Sequence, residues 1–170
     1  MEYKIEVITD RNRQQVNEIL EREWEATDII VRGKIIDGTK LDGFLAVKDN
    51  SIIGLITYMI ENNECEIVSL NSFEENKGIG TRLINTVKEL AINEKCTRLK
   101  LITTNDNIRG IEFYQRRGFV LSNLYINAIE NSRKLKPAIP LYAENGLPIR
   151  DEIEFEMKLE RWIIIYKVFN

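Results

Sequence analysis

Two glycines at the start of a predicted helix are the first residues whose spacing suggests chemistry. Gly78 and Gly80 lie in "NSFEENKGIGTRLINTVKEL", residues 71 to 90, where an extended stretch gives way to a helical pattern. The first backbone N–H groups of a helix have no partner within the helix, and the positive end of its dipole lies there. Because glycine lets an anion come close to those groups, the turn predicts a phosphate or diphosphate site. The alternative is that the glycines only permit a tight corner between strand and helix.

The familiar nucleotide-binding loops do not fit this turn. A dinucleotide-binding G-x-G-x-x-G loop needs a third glycine where this chain has Leu83. A P-loop needs Gly-Lys-Ser/Thr, which does not follow here. The predicted ligand is therefore a diphosphate that is held by another kind of loop.

A second segment makes the pattern more specific. "NDNIRGIEFYQRRGFVL", residues 105 to 121, combines asparagine caps, a short helix with Tyr114 near its end, and a Gly-Phe entry to a strand. Together the two segments resemble the Gcn5-related N-acetyltransferase (GNAT) family. That family has Gln/Arg-x-x-Gly-x-Gly/Ala after its fourth strand and later Asn-x-x-Ala-x-x-Phe/Leu-Tyr-x-x-x-Gly-Phe; this chain has "ENKGIG" and "NIRGIEFYQRRGF". The resemblance covers about residues 2 to 160.

The resemblance implies acetyl-coenzyme A as co-substrate, with no metal. The family's Gln or Arg is replaced by Glu75, so phosphate binding is expected to depend on backbone amides, with Lys77 and Arg82 offsetting the negative charge. The family's fourth and fifth strands part to admit the pantetheine arm, so "EIVSLN" and "LKLITT" are expected to diverge. The implied coenzyme-binding residues are Leu70, Asn71, Ser72, Lys77, Gly78, Ile79, Gly80, Thr81, Asn107, Gly110 and Tyr114.

Two residues are the implied catalysts. Tyr114 matches the family's general acid near the coenzyme sulfur, although a tyrosine near a helix end is more often an ordinary core residue. Glu66, in "CEIVSLN", resembles a glutamate that acts as base in histone-type members; it could equally lie on a solvated strand face. Glu64 is the reserve, and a water chain is the remaining option. Cys65 is a poor candidate for a nucleophile because no histidine is present to activate it.

The acceptor site is expected to use later parts of the chain. Alternation in "RDEIEFEM" puts Glu152, Glu154 and Glu156 on one face, which would suit a cationic amine, or would simply be solvated. The long loop 131–150 is interpreted as a cover for the acceptor pocket. Trp24, Glu64, Tyr142 and Glu152 are the candidate substrate-binding residues, and the two aromatic ones could equally be packing residues.

The composition excludes several function classes. The 170 residues contain no histidine, which removes Ser-His and Cys-His catalysis and most zinc sites. A net charge of -3 disfavours a broad nucleic-acid surface. No stretch approaches the roughly 18 apolar residues of a membrane span, and no signal peptide is seen. A cytoplasmic protein is therefore expected, with its two cysteines as buried thiols.

The hydrophobic pattern predicts the elements that would position these residues. Strands are predicted at 2–8, 43–49, 52–60, 64–73, 97–104, 119–130 and about 150–168, and helices at 11–24, 78–94 and 108–117. Residues 25–42 are interpreted as loop with a short helix, and 131–148 as a long loop. The fold class is α+β (mixed α/β) and GNAT-like: a mostly antiparallel twisted sheet of about seven strands, splayed between the fourth and fifth and flanked by helices. One N-acetyltransferase domain, 1–170, is expected, with loop 131–150 and a C-terminal strand 161–169 as elaborations.

The leading hypothesis is an acetyl-CoA-dependent N-acetyltransferase. It would move an acetyl group to a primary amine of a small molecule or peptide by direct attack in a ternary complex. A non-catalytic acyl-CoA-binding sensor or interaction module, and an N-acetyltransferase of proteins, are the alternatives. The apolar tail "WIIIYKVF" is interpreted either as a last strand or as a homodimer contact.

Overall fold

A computed structural model describes residues 2–74 and 76–159 of the chain. The expected C-terminal strand at 161–169 and Glu75 therefore lie outside the described residues. None of the helices in the described part is both long and apolar enough to cross a membrane. The elements are β1 (Lys4–Val7), α1 (Arg13–Trp24), β2 (Asp28–Val31), β3 (Lys34–Asp37), β4 (Asp42–Lys48), β5 (Ser51–Glu61), β6 (Glu64–Ser72), α2 (Ile79–Asn93), β7 (Arg98–Thr104), α3 (Ile108–Gln115), β8 (Val120–Tyr125), α4 (Ala128–Leu135) and β9 (Glu152–Lys158).

Seven strands form the central sheet, in the order β1-β4-β5-β6-β7-β9-β8. Every neighbouring pair is antiparallel except β6 and β7, which are parallel because helix α2 connects them. The predicted fold class, α+β with a mostly antiparallel sheet and flanking helices, is confirmed.

The parallel pair β6–β7 is joined over only part of its length. Its ladder runs from Glu64 opposite Arg98 to Ile67 opposite Leu101, although both strands continue further. A bulge lies at the point of parting, since Ile67 pairs with Tyr58 and Ser69 with Thr57, which leaves Val68 without an opposite residue. A bulge bends its strand, so it turns β6 away from β7. The expected divergence of these two strands is therefore present.

Both faces of the sheet are covered by apolar side chains. On one face, helix α2 buries Ile79, Leu83 and Val87 against strand residues that include Cys65 and Ile67. On the other face, helix α1 packs on β4, β5 and Val68 of β6. The alternation of β6 therefore directs Glu64 and Glu66 away from α2 and toward the α1 side.

Two predicted segments differ in the structure. Residues 25–42 were expected to be loop, but β2 and β3 pair as a two-stranded hairpin outside the main sheet. Its two-residue turn, Arg32-Gly33, has positive φ at both positions (51° and 67°), as hairpin turns of this length require. Arginine at the first position is not a typical signal for such a turn, so the sequence pattern did not indicate it.

The region after β8 also differs from the prediction. The strand expected over 119–130 ends at Tyr125, and helix α4 occupies the end of that range and the start of the expected loop. Its apolar positions Ile129 and Leu135 are too far apart to show a helical period in so short a segment. A loop with an isolated bridge between Tyr142 and Pro148 follows α4.

Candidate active site

A cleft of about 600 Å³ opens on the α2 side of the sheet, beside the end of β6. Three parts of the chain line it: the end of β6, the turn into α2, and the inner side of α3. Of the residues expected to bind the coenzyme, all but Asn71 line this cleft. The cleft-lining residues among them are Leu70, Ser72, Lys77, Gly78, Ile79, Gly80, Thr81, Asn107, Gly110 and Tyr114.

The N-terminus of α2 presents unsatisfied amides to this cleft. Gly78 is the N-cap residue, in the left-handed conformation (φ 72°), and no side chain caps the helix. A Cβ placed on Gly78 would meet no atom within 4 Å, so this position is open. A Cβ on Gly80 would instead lie 3.0 Å from Cζ of Phe113 in α3. Gly80 is thus explained by close packing of two helices, whereas Gly78 is explained by its backbone conformation and leaves space in front of the amides.

The second motif builds the opposite wall through a capped helix. The Asn107 side chain accepts a hydrogen bond from the Gly110 amide (3.0 Å), and its Nδ2 donates to the Thr103 hydroxyl (2.9 Å). A Cβ on Gly110 would come within 2.3 Å of Asn107 Nδ2, so in this chain the Asn107 side chain packs closely over Gly110. Both polar atoms of the Asn107 side chain hold the start of α3 in place. Asn107 therefore contributes to the shape of the cleft.

Tyr114 lies where the cleft meets the core. Its ring packs edge-to-face on Phe113 and Phe119, with centroids 5.4 and 5.9 Å away, and is tilted against Phe155. Burial raises the pKa of Tyr114 to about 12. The hydroxyl therefore keeps its proton at neutral pH and can donate it.

Carboxylates crowd the opposite face of the sheet, near the point where β6 and β7 part. Glu66, Glu152 and Glu154 are all at most 3% exposed. The Arg32 guanidinium lies among them, with Nη2 3.0 Å from Glu66 and Nη1 3.7 Å from Glu154. The Arg32 backbone N–H also donates to both oxygens of Glu152, at 3.0 and 3.1 Å. The β2–β3 turn thus covers the carboxylates.

The pKa values of the carboxylates on this face are shifted in opposite directions. Glu64 accepts hydrogen bonds from Arg98 (2.7 Å) and Lys100 (2.8 Å), which lower its pKa to about 2. Burial raises the pKa of Glu152, and the Arg32 backbone N–H offsets only part of that rise. Glu64 is therefore a fixed anion, and Glu152 holds a proton more readily.

Acid should destabilise the fold partly through Glu64. Its folded-state pKa is depressed, so its contribution is fully present above about pH 4.5 and is lost as pH falls toward about 2. The slope of the unfolding free energy against pH reports how many protons bind on unfolding. In that window we expect Glu64→Gln to lower this number by up to about one proton. Urea titrations at a series of pH values measure this slope, and an unchanged slope in the variant would contradict the expectation.

The remaining expected residues lie in different places. Trp24 Nε1 donates to the Asn71 side chain (3.2 Å), so it lies against the end of β6. Arg82 bonds the Tyr3 carbonyl and lies over its ring, rather than reaching the cleft. Tyr142 is 65% exposed on the loop after α4 and does not line the cleft.

Two arginines of the site were missed in the sequence. Arg117 lines the cleft from the turn after α3, two residues beyond Gln115. Arg32 was missed because its segment was interpreted as loop. Cys65 and Cys96 are buried free thiols, as expected, and burial raises the pKa of Cys65 to about 12. Among the described residues, no three His, Cys, Asp or Glu side chains are placed to hold a metal ion.

Comparison with known proteins places this architecture in a family. The family model described as "Acetyltransferase (GNAT) family" matches residues 8–119. The uncharacterized proteins YdhI and YxbD of Bacillus subtilis are 45% and 44% identical over 149 and 146 residues. These matches cover 87% and 85% of this chain, and 93% and 92% of the relatives.

A solved structure has the same fold. The GNAT family acetyltransferase from Elizabethkingia anophelis with acetyl-CoA bound superimposes with a TM-score of 0.69 at 21% identity, over 92% of this chain and 98% of that one. The parted strands, the glycine turn and the capped helix α3, which contains Tyr114, thus belong to a fold that is found in this family. With the family model matching from the end of β1 to Phe119, the chain belongs to the GNAT acetyltransferase family.

Proposed function

We propose that this protein is an acetyl-CoA-dependent N-acetyltransferase that acts on a primary amine. The observation that carries the proposal is the cleft, which is lined by the uncapped first turn of α2, by Tyr114, and by Leu70 and Ser72 of β6 beyond its ladder with β7. Its two ends match the two ends of an acyl-coenzyme A arm, a diphosphate and a thioester. The bound acetyl-CoA of the structural neighbour supports this assignment.

The residues present fit this coenzyme. The amides of the first turn of α2 would hold the diphosphate, and Gly78 would let it approach. Beyond Ile67 the edge of β6 has no ladder to β7, so its backbone can pair with the amide groups of the arm. A backbone N–H near Leu70 would donate to the thioester oxygen as negative charge develops there. The coenzyme itself supplies the activated acetyl group.

The carboxylate face would receive the acceptor amine. An alkyl ammonium has a pKa of about 10.4 and must lose a proton before it can attack. Glu66 would take that proton, and the amine nitrogen would then bond to the acetyl carbon. The bond from carbon to sulfur breaks, and the nitrogen releases its second proton to solvent, which leaves a neutral amide. The leaving thiolate takes a proton from Tyr114, which recovers it from solvent. Arg32 already occupies this face as a cation, and we infer that the acceptor ammonium displaces its guanidinium from Glu66.

Glycine 78 offers a test of the coenzyme end. Gly78→Ala places a methyl group where the diphosphate would lie, and an alanine at positive φ costs about 1–2 kcal/mol. We expect CoA to bind about 10-fold more weakly than to the wild type, a loss of about 1.4 kcal/mol of binding free energy, measured by calorimetry. Gly146→Ala is the matched control, since Gly146 also has positive φ (80°) and an open Cβ position but does not line the cleft. Equal CoA affinity in both variants would contradict the assignment.

A thiol-release screen tests the reaction itself. Acetyl-CoA is incubated with the protein and a panel of small diamines, aminoglycosides, amino acids and N-terminal peptides, and free thiol is recorded. Release with any amine, together with the acetylated product by mass spectrometry, supports the enzyme. CoA binding without release from any amine would favour the sensor alternative, and release only with peptides would favour a protein N-acetyltransferase. If calorimetry finds no CoA binding at all, the proposal fails.

A further inference from the structure

We propose that Arg117 is a further coenzyme-binding residue, whose guanidinium donates to a phosphate group of coenzyme A. The inference rests on the proposed function, because it adds a ligand to the same cleft. It commits to phosphate chemistry, and the experiment below separates the diphosphate from the 3′-phosphate.

The guanidinium of Arg117 is held in place by three contacts. Its Nε donates to the Thr81 hydroxyl (2.9 Å), and its Nη1 donates to the Phe113 carbonyl (2.7 Å). The guanidinium carbon lies 3.4 Å from the centroid of the Phe113 ring. A cation stacked on an aromatic face with two fixed hydrogen bonds loses little further freedom when a ligand binds. Arg117 is thus already ordered for an incoming anion.

Its hydrogen-bonding capacity is only partly used. Arginine has five N–H donors, and the structure pairs two of those of Arg117. No described carboxylate lies within ion-pair distance of it, in contrast to the neighbouring Arg116, which pairs with Glu112. Burial, together with the charge of Arg116, lowers the pKa of Arg117, but an arginine stays charged at neutral pH. The cleft wall therefore contains a partly desolvated cation whose charge is not compensated by a described anion.

The position of Arg117 matches the expected phosphates. Thr81 is the third residue of α2, so its own amide is one of those without a partner in the helix. A guanidinium bonded to the Thr81 side chain therefore lies beside the amides that would hold the diphosphate. Arg117 supplies positive charge there from the turn that follows α3.

Calorimetry with three ligands tests the assignment. Arg117→Gln keeps polar atoms near Thr81 but removes the charge, and Arg116→Gln is the matched control, because Arg116 does not line the cleft. CoA, 3′-dephospho-CoA and pantetheine are titrated into the wild type and both variants, and thermal unfolding reports on the fold. We expect Arg117→Gln to bind CoA about 10- to 100-fold more weakly, the effect of a hydrogen bond to a charged group, with pantetheine unaffected.

The ligand pattern decides each outcome. An equal loss for CoA and dephospho-CoA assigns Arg117 to the diphosphate, and a loss for CoA alone assigns it to the 3′-phosphate. An equal loss for all three ligands, including pantetheine, would mean that Arg117 only shapes the cleft, and an unchanged CoA affinity would also overturn the inference. Arg117→Lys, which keeps the charge, should recover part of the affinity. If the wild type itself binds no CoA, both the proposed function and this inference fail. If the wild type binds CoA and Arg117→Gln binds it equally well, only this inference fails.

Discussion

Replacing Tyr114 by phenylalanine is expected to lower kcat by about 100-fold or more, the usual effect of removing a positioned proton donor, with little change in CoA affinity. The departing thiolate, whose free thiol has a pKa of about 8.5, needs a proton or a hydrogen bond at its sulfur as it leaves. Tyr114 lines the cleft, and burial keeps its hydroxyl protonated by raising its pKa to about 12. Activity should therefore show no falling limb from Tyr114 below about pH 10.

Loss of the fold does not explain such an effect, because phenylalanine keeps the ring contacts. The packing on Phe113, Phe119 and Phe155 uses the ring alone. Tyr58→Phe is the matched control, since Tyr58 is also buried, with its pKa also raised to about 12, but lies in the core away from the cleft. We expect Tyr58→Phe to retain activity.

The leaving group provides the sharper measurement. Thioesters of more acidic thiols need less protonation on departure, so the penalty of Tyr114→Phe should shrink with such donors. Stopped-flow or steady-state rates with a short series of acetyl thioesters measure this dependence. A penalty that is the same for every leaving group would assign Tyr114 to packing or orientation and remove it from the proton transfer.

The cleft beside α2 could be predicted from sequence because its parts are local. The glycine turn and the Asn107–Tyr114 segment are short stretches of the chain, and their resemblance to two family motifs indicated the cap of α3 and the open amides of α2. The parted strands follow from the connection through α2, which makes β6 and β7 the parallel pair. Arg117 was within the same motif, but nothing in its spacing showed that its side chain would fold back to Thr81.

The buried carboxylate face was harder to predict because its residues are far apart in the chain. Arg32 and Glu152 are 120 positions apart, and they meet only because a hairpin outside the main sheet lies over β9. The face shared by Glu66 and Glu154 depends on β9 inserting between β7 and β8, which alternation within one strand does not reveal. Sequence reasoning identified the carboxylates of each strand, but not that they would be buried together with an arginine.

This burial contradicts one of the two interpretations of the acidic strand face, that of a solvated surface. A solvated face would leave the carboxylates exposed, whereas Glu66, Glu152 and Glu154 are covered and held by Arg32, Arg98 and Lys100. Removing one partner from a buried ion pair leaves the other charge uncompensated, which is strongly unfavourable. These carboxylates therefore need a cation beside them. A cationic acceptor that replaces Arg32 at Glu66 would meet a site already arranged for positive charge.

Glu66→Gln should therefore lower kcat/KM by about 100-fold near neutral pH, since the amide cannot accept the proton of the ammonium. The loss should shrink as pH rises toward the amine pKa of about 10.4, where the acceptor is neutral without help. Glu156→Gln is the control: Glu156 shares the face and bonds Arg98, but lies on β9 opposite Lys100, away from the gap. pH profiles of kcat/KM for the wild type and both variants measure this. A deficit in Glu66→Gln that stays constant across pH, or an equal deficit in Glu156→Gln, would mean that the carboxylate stabilises the face through its ion pairs and that water removes the proton.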